Sequence, residues 1–193
     1  KVPVYGTAGT LEGIRCCQTL GKLPEGLLRE VRVDEPFTLG GMKICPFAIS
    51  HDAREPSGYR IENQEKSVAV ATDLGKYDQY TVDNLKNLNA LVLEANHDIH
   101  MLEVGPYPYP LKRRVMGDTG HLSNESSGRL LCDILHDGLE YVVLGHLSKE
   151  NNYEELAYET VKLEVSFGDN PYKGEDIPMM VAKRDTVSEV ITL

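Results

Sequence analysis

The sequence has 193 residues, of which 41% are apolar and 26% charged; that is enough chain for one buried core and too apolar for wholesale disorder. Its apolar runs fall far short of the roughly 20 residues that a membrane-crossing helix needs, and four cysteines without a CxxC pair, two of them adjacent, speak against a zinc ribbon or a disulfide framework and for reduced thiols in a cytosol. The net charge of −10 opposes a polyanionic partner for the chain as a whole, yet it is concentrated after residue 150 and leaves Lys112-Arg113-Arg114 as a local basic patch.

No internal repeat or long linker divides residues 1–193, which read as a single domain of alternating strands and helices. Val2–Tyr5 reads as a short strand. Thr10 can cap a helix running to about Leu20, with Leu11, Ile14 and Cys17 on one face. Val31–Val33 and Lys43–Ser50 read as strands around the Gly40-Gly41 turn. Tyr59–Glu62 and Ser67–Thr72 pair as a hairpin. A short helix over Val82–Leu88 precedes the strand Ala90–Glu94. Ser123 caps a helix that turns Leu130, Leu131, Ile134 and Leu135 inward and stops at Gly138. After the strand Tyr141–Leu144, Asn152 and Glu155 form the spacing of a capping box for a helix with Tyr153, Leu156, Ala157 and Val161 inward. Met179–Ala182 and Glu189–Leu193 read as terminal strands.

The chemistry lies at the strand ends. Pro46-Phe-Ala-Ile-Ser50 runs into His51, Val68-Ala-Val-Ala-Thr72 into Asp73, Leu91-Val-Leu93 into Glu94, and Tyr141-Val-Val-Leu-Gly145 into His146. Ligands of α/β proteins collect at the carboxyl edges of strands. Two imidazoles and two carboxylates at one edge suit a divalent cation. One such residue alone would be an ordinary polar strand end.

These stretches, in ISHDAREPSGYR (49–60), SVAVATDLGKY (67–77), ALVLEANHD (90–98), GHLSNESSGRLL (120–131) and YVVLGHLSKENN (141–152), resemble the metallo-β-lactamase superfamily. Within it they look most like the YycJ/WalJ-type branch of bacterial cytosolic hydrolases related to nucleases. The resemblance implies an αββα four-layer sandwich. It implies that His51, Asp73 and His146 are metal ligands, with Asp73 bridging two divalent ions, zinc or manganese. It implies that Glu94 and His121 act as an acid–histidine pair on the scissile group. His121 lies just before the Ser123 helix start, where backbone N–H groups favour an anion. The implied activity is hydrolysis of a nucleic-acid phosphodiester, DNA or RNA, from a strand end, by a water that two ions acidify.

The segment Gly105-Pro-Tyr-Pro-Tyr-Pro-Leu-Lys-Arg-Arg114 interleaves aromatics with bases, so Tyr107, Tyr109, Lys112, Arg113 and Arg114 are candidate nucleic-acid contacts. His97 and His100, three apart, would share a face of any helix they occupied; His100 reads as a solvated helix position, and His97 could reach the site. His136 reads as a residue placed by a helix dipole. Asp52 could orient the His51 ring or face away.

The superfamily's His-x-His-x-Asp-His signature is absent. The reading is therefore of an N-terminally incomplete fold, with the dinuclear centre partial or missing in this chain and activity lacking without the motif. One sheet would then have an open face, and a homodimer would cover it. Two alternatives stay open: a hydrolase of small esters, thioesters or lactams, and a non-catalytic remnant that binds a partner.

Overall fold

The computed structural model describes residues 2–193. Seven strands form one mixed sheet in sequence order: β3 (Phe37–Leu39), β4 (Met42–Ala48), β5 (Ser57–Glu62), β6 (Ser67–Ala71), β7 (Ala90–Glu94), β8 (Tyr141–Gly145) and β9 (Met179–Val181), after a separate parallel pair of β1 (Val4–Gly6) and β2 (Leu28–Glu30). Neighbours from β3 to β6 are antiparallel and those from β6 to β9 parallel. As a result β4, β6, β7 and β8 all point the same way, and their carboxyl ends share one edge. The parallel half needs crossovers. They are supplied by α2 (Gln79–Leu85), by the run of α3 (Ile99–Val104), α4 (Tyr109–Val115) and α5 (Asn124–Ile134), and by α6 (Glu154–Phe167).

Strand alternation decides which side is buried. Ala69, Ala71, Leu91, Leu93, Val142 and Leu144 point to one face and are closed over by Val82 and Leu85 of α2, Leu130, Leu131 and Ile134 of α5, and Ala157, Val161 and Val165 of α6. The other face carries Ile61, Val68, Val92, Val143 and Met180, all half-buried, and Val70, 41% exposed. Its β3–β4 border is covered by the N-terminal segment, where Tyr5 stacks on Phe37 with ring centroids 5.3 Å apart. The mixed α/β class is observed. Of the four expected layers, the described residues build the helix layer, the seven-stranded sheet and a two-stranded piece over part of its second face.

Several element ends differ from the sequence reading. The first helix, α1, is Ala8–Cys16; Thr7, not Thr10, caps it by accepting from the Thr10 N–H, and a 3-10 turn follows. The strand expected at Val31–Val33 lies earlier, at Leu28–Glu30, where it pairs with β1. Asp78 caps α2, which begins at Gln79, three residues ahead of the expected start. Tyr153, rather than Asn152, is the N-cap of α6 and makes no side-chain cap; it is 51% exposed, not inward. Asn152 is instead consumed in a buried amide network, bonding Asn124 and the carbonyls of Ala95 and Asn96. Residues 189–193 form no strand.

Candidate active site

The four parallel carboxyl ends deliver their polar residues to one place. His51 lies three residues past β4, Asp73 two past β6, Glu94 closes β7, and His146 follows β8 directly. Asp73 and His146 both take the left-handed backbone, with φ of 60° and 58°. A non-glycine residue there costs about 1–3 kcal/mol and persists where the surroundings impose it, as at functional sites. The turn swings both side chains over the sheet edge. His121 arrives from the other direction, on the loop ahead of α5. Its N–H bonds the Val115 carbonyl, and the next residue's N–H reaches Glu94.

Glu94 is the hub. It is fully buried, yet both oxygens are occupied: Oε1 accepts from Nδ1 of His121 (2.8 Å) and of His146 (2.7 Å), and Oε2 from the N–H groups of Leu74 (2.7 Å) and Leu122 (3.2 Å). Burial pushes its pKa up, but the bonds from His121 and His146 outweigh that and leave it below the ordinary glutamate value. In turn the Glu94 hydrogen bond holds the His146 imidazole above its ordinary value. His51 Nδ1 is satisfied by the Gly120 carbonyl at 3.0 Å.

With Nδ1 engaged, the Nε2 atoms of His51 and His146 each face Asp73 Oδ1 at 3.6 Å. His121 Nδ1 lies 3.7 Å from the same oxygen, and the His121 ring is 5.1 Å from that of His51 and 5.2 Å from that of His146, centroid to centroid. Imidazoles whose Nδ1–H is held by an acceptor present Nε2 as the metal-binding atom. His51, Asp73 and His146 thus offer donor atoms of the types that divalent cations take, although His51 lies outside the tightest group of candidate ligands. Asp73, Glu94, His121 and His146 can each direct one donor atom to within 4.8 Å of the rest. Because the Glu94 oxygens are filled, we read it as the group that fixes two imidazoles.

The basic segment is less available than its sequence suggests. Arg114 makes a two-pronged ion pair with Asp52 (Nε to Oδ2 2.5 Å, Nη2 to Oδ1 2.9 Å), which holds Asp52 below the usual carboxylate range. Lys112 Nζ donates to the Glu103 carbonyl. Tyr107 is half-buried, while Arg113 and Tyr109 are exposed, the latter by 72%. Arg114 is thus tied to the residue beside His51. That pairing, 62 positions apart in the chain, has no local sequence signal.

The remaining histidines separate. His97 is not on a helix: it precedes α3, pairs with Ser123 in an isolated bridge, and is 2% exposed with Nδ1 unpartnered. His100 is exposed on α3. His136 lies past the end of α5, so no helix dipole explains it. Its Nε2 pairs with the Leu88 carbonyl and its Nδ1 accepts from the Gly138 N–H, away from the site.

A family model described as the beta-lactamase superfamily domain matches residues 1–146, three quarters of the chain and every residue of the site. The chain belongs to the beta-lactamase superfamily. Among superfamily relatives, the protein named exodeoxyribonuclease YycJ from Bacillus anthracis is 35% identical over 156 residues, covering 81% of this chain and 58% of that protein. Exodeoxyribonuclease WalJ from Streptococcus pneumoniae strain D39 is 34% identical over 158 residues, covering 82% and 59%. The chain thus spans just under three fifths of the length of either relative. The crystal structure of YhfI from Bacillus subtilis, a metallo-beta-lactamase fold protein, superposes with a TM-score of 0.62 at 17% identity, covering 94% of this chain and 62% of that one, a likeness of fold alone. No helix among the described residues is long and apolar enough to cross a membrane.

Proposed function

We propose that this chain carries part of the centre of a metal-dependent nuclease that removes nucleotides from a DNA strand end. The observation that carries the reading is the Glu94 hub, which orients His121 and His146 while His51 and His146 turn Nε2 toward Asp73. The two exodeoxyribonuclease relatives support the substrate class.

In this reading His51, Asp73 and His146 hold divalent ions, zinc or manganese, two in the complete protein. When bound, such ions would polarise the phosphoryl group and supply hydroxide near neutral pH to attack its phosphorus. Glu94 fixes the His121 ring through Nδ1 and leaves its outer nitrogen as the atom that serves the departing oxygen. The buried carboxylate also keeps both rings from swinging away. Arg113 and Tyr109 contact the strand from α4, with Tyr107 and Lys112 beside them. Arg114 acts chiefly by holding Asp52. The four free thiols suit a reducing cytoplasm.

The test is digestion of end-labelled DNA, with manganese or zinc, by the natural protein containing these 193 residues. Metal-dependent loss of terminal nucleotides is expected. Asp73→Asn should abolish it, and His121→Asn should slow it by about 10²–10⁴-fold. A protein that retains metal, leaves DNA intact and cleaves a carboxylic ester or lactam would replace this reading with an acyl hydrolase.

A further inference from the structure

Beside His146 lies a cavity of about 440 Å³, lined among others by Ser148, Lys149, Tyr153, Lys183 and Arg184. It forms because β8 and β9 are parallel neighbours. Their carboxyl ends leave the sheet side by side, with the Ala182 N–H bonded to the Leu144 carbonyl at 2.8 Å. Lys149 follows β8, Lys183 and Arg184 follow β9, and Tyr153 stands at the start of α6.

The lining holds three cations and one carboxylate, Glu154, in a chain whose net charge is −10. None of the three cations forms an ion pair among the described residues. Arg184 spends one donor on the Leu147 carbonyl at 2.7 Å and keeps the rest of its fork. This contrasts with Arg114, which is neutralised by Asp52. The Tyr153 ring, half exposed, supplies a flat apolar surface at the same rim. Unneutralised cations next to an aromatic face are the two elements that a nucleotide needs, phosphate neutralisation and base stacking. The volume lies within the range of small-ligand sites, about 300–1,000 Å³.

We propose that this cavity is a nucleotide subsite. Lys149, Lys183 and Arg184 take the phosphate that neighbours the one being cut, and Tyr153 stacks on the attached base. The proposal rests on the phosphodiesterase reading for its role. Its binding chemistry can be tested apart from it.

The experiment is calorimetric titration of the protein, in chelator and low salt, with deoxyadenosine 5′-monophosphate, deoxyadenosine and inorganic phosphate. The monophosphate should bind tightest, and its affinity should fall with salt. Lys149→Ala with Lys183→Ala, two side chains that make no hydrogen bond or ion pair among the described residues, should weaken it by about tenfold and flatten the salt dependence. Tyr153→Ala should weaken the monophosphate by about fivefold or more while leaving inorganic phosphate unchanged. Lys22→Ala, an exposed lysine elsewhere, should change neither. On DNA, the double lysine variant should raise KM with kcat preserved. Absence of monophosphate binding, or binding indifferent to the lysines and to Tyr153, overturns the subsite. Monophosphate binding by a protein that fails to digest DNA would overturn the nuclease reading and leave the subsite standing.

Discussion

His97 is a buried imidazole in a neighbourhood of other titrating groups, and its Nδ1 has no partner. Burial, the largest influence, lowers its pKa from 6.5 to about 4, against the smaller opposing pull of Glu94. The unfolded chain therefore binds a proton at this position between about pH 6.5 and pH 4 that the folded chain refuses. Stability must rise with pH across that window and fall as acid is added, by about 3 kcal/mol over the whole interval and about 2 kcal/mol between pH 7 and pH 5. Urea unfolding at the two pH values should show this loss, and His97→Leu should remove most of it. An unchanged slope in the variant would assign the acid sensitivity to another group. The sequence left His97 undecided because three residues past Glu94 is near in chain, while its burial depends on the distant Ser123 segment.

Between elements, two glycines allow close backbone approaches around the site: Gly75 to the loop before α5, and Gly120 to the end of α4. A Cβ at Gly75 would lie 2.3 Å from the Asp118 carbonyl oxygen, and one at Gly120 would lie 2.2 Å from those of Arg114 and Val115. The loop after β6 thus rests against the loop before α5 by backbone contact, and Gly120 supplies the carbonyl that holds His51. Gly120→Ala should cost about 1–3 kcal/mol in a urea melt and lower zinc affinity by about 10–100-fold through the displaced His51 acceptor. Gly13→Ala, in open space on α1, should raise stability by about 0.5–1 kcal/mol. An unaltered zinc affinity in Gly120→Ala would mean that His51 does not depend on that carbonyl. The strand ends carrying His51, Asp73, Glu94 and His146 could be read from sequence because each follows a continuous apolar run. The helix starts at Thr7 and Tyr153 could not, because Thr10 is as good a cap as Thr7, and Asn152 a better one than Tyr153, which makes no side-chain cap. Tertiary bonds decide between them: Thr7 donates to the Glu55 carbonyl, and Asn152 is drawn into the Asn124 network.

Across the whole molecule, the sheet is sealed on one side only. The second face presents Ile61, Val68, Val70, Val92 and Val143 without a helix layer over them. Of these only Val70 is exposed, by 41%; the others are half-buried. The alternation of each strand reveals this face in outline, while its extent follows from strand order, which pattern alone does not set. Such a face should bind an apolar dye and cause concentration-dependent association, and Val70→Lys should reduce both. Light scattering of a single size at high concentration, with no dye bound, would show that the face tolerates water. The common direction of β4, β6, β7 and β8 has one further consequence. Every chemically active side chain leaves by the same rim, so the turns on the opposite rim are remote from it. Gln64 and Glu65, at the tip between β5 and β6, are exposed there, and an affinity peptide or a fluorophore spliced at that point would report on the protein while leaving its working end untouched.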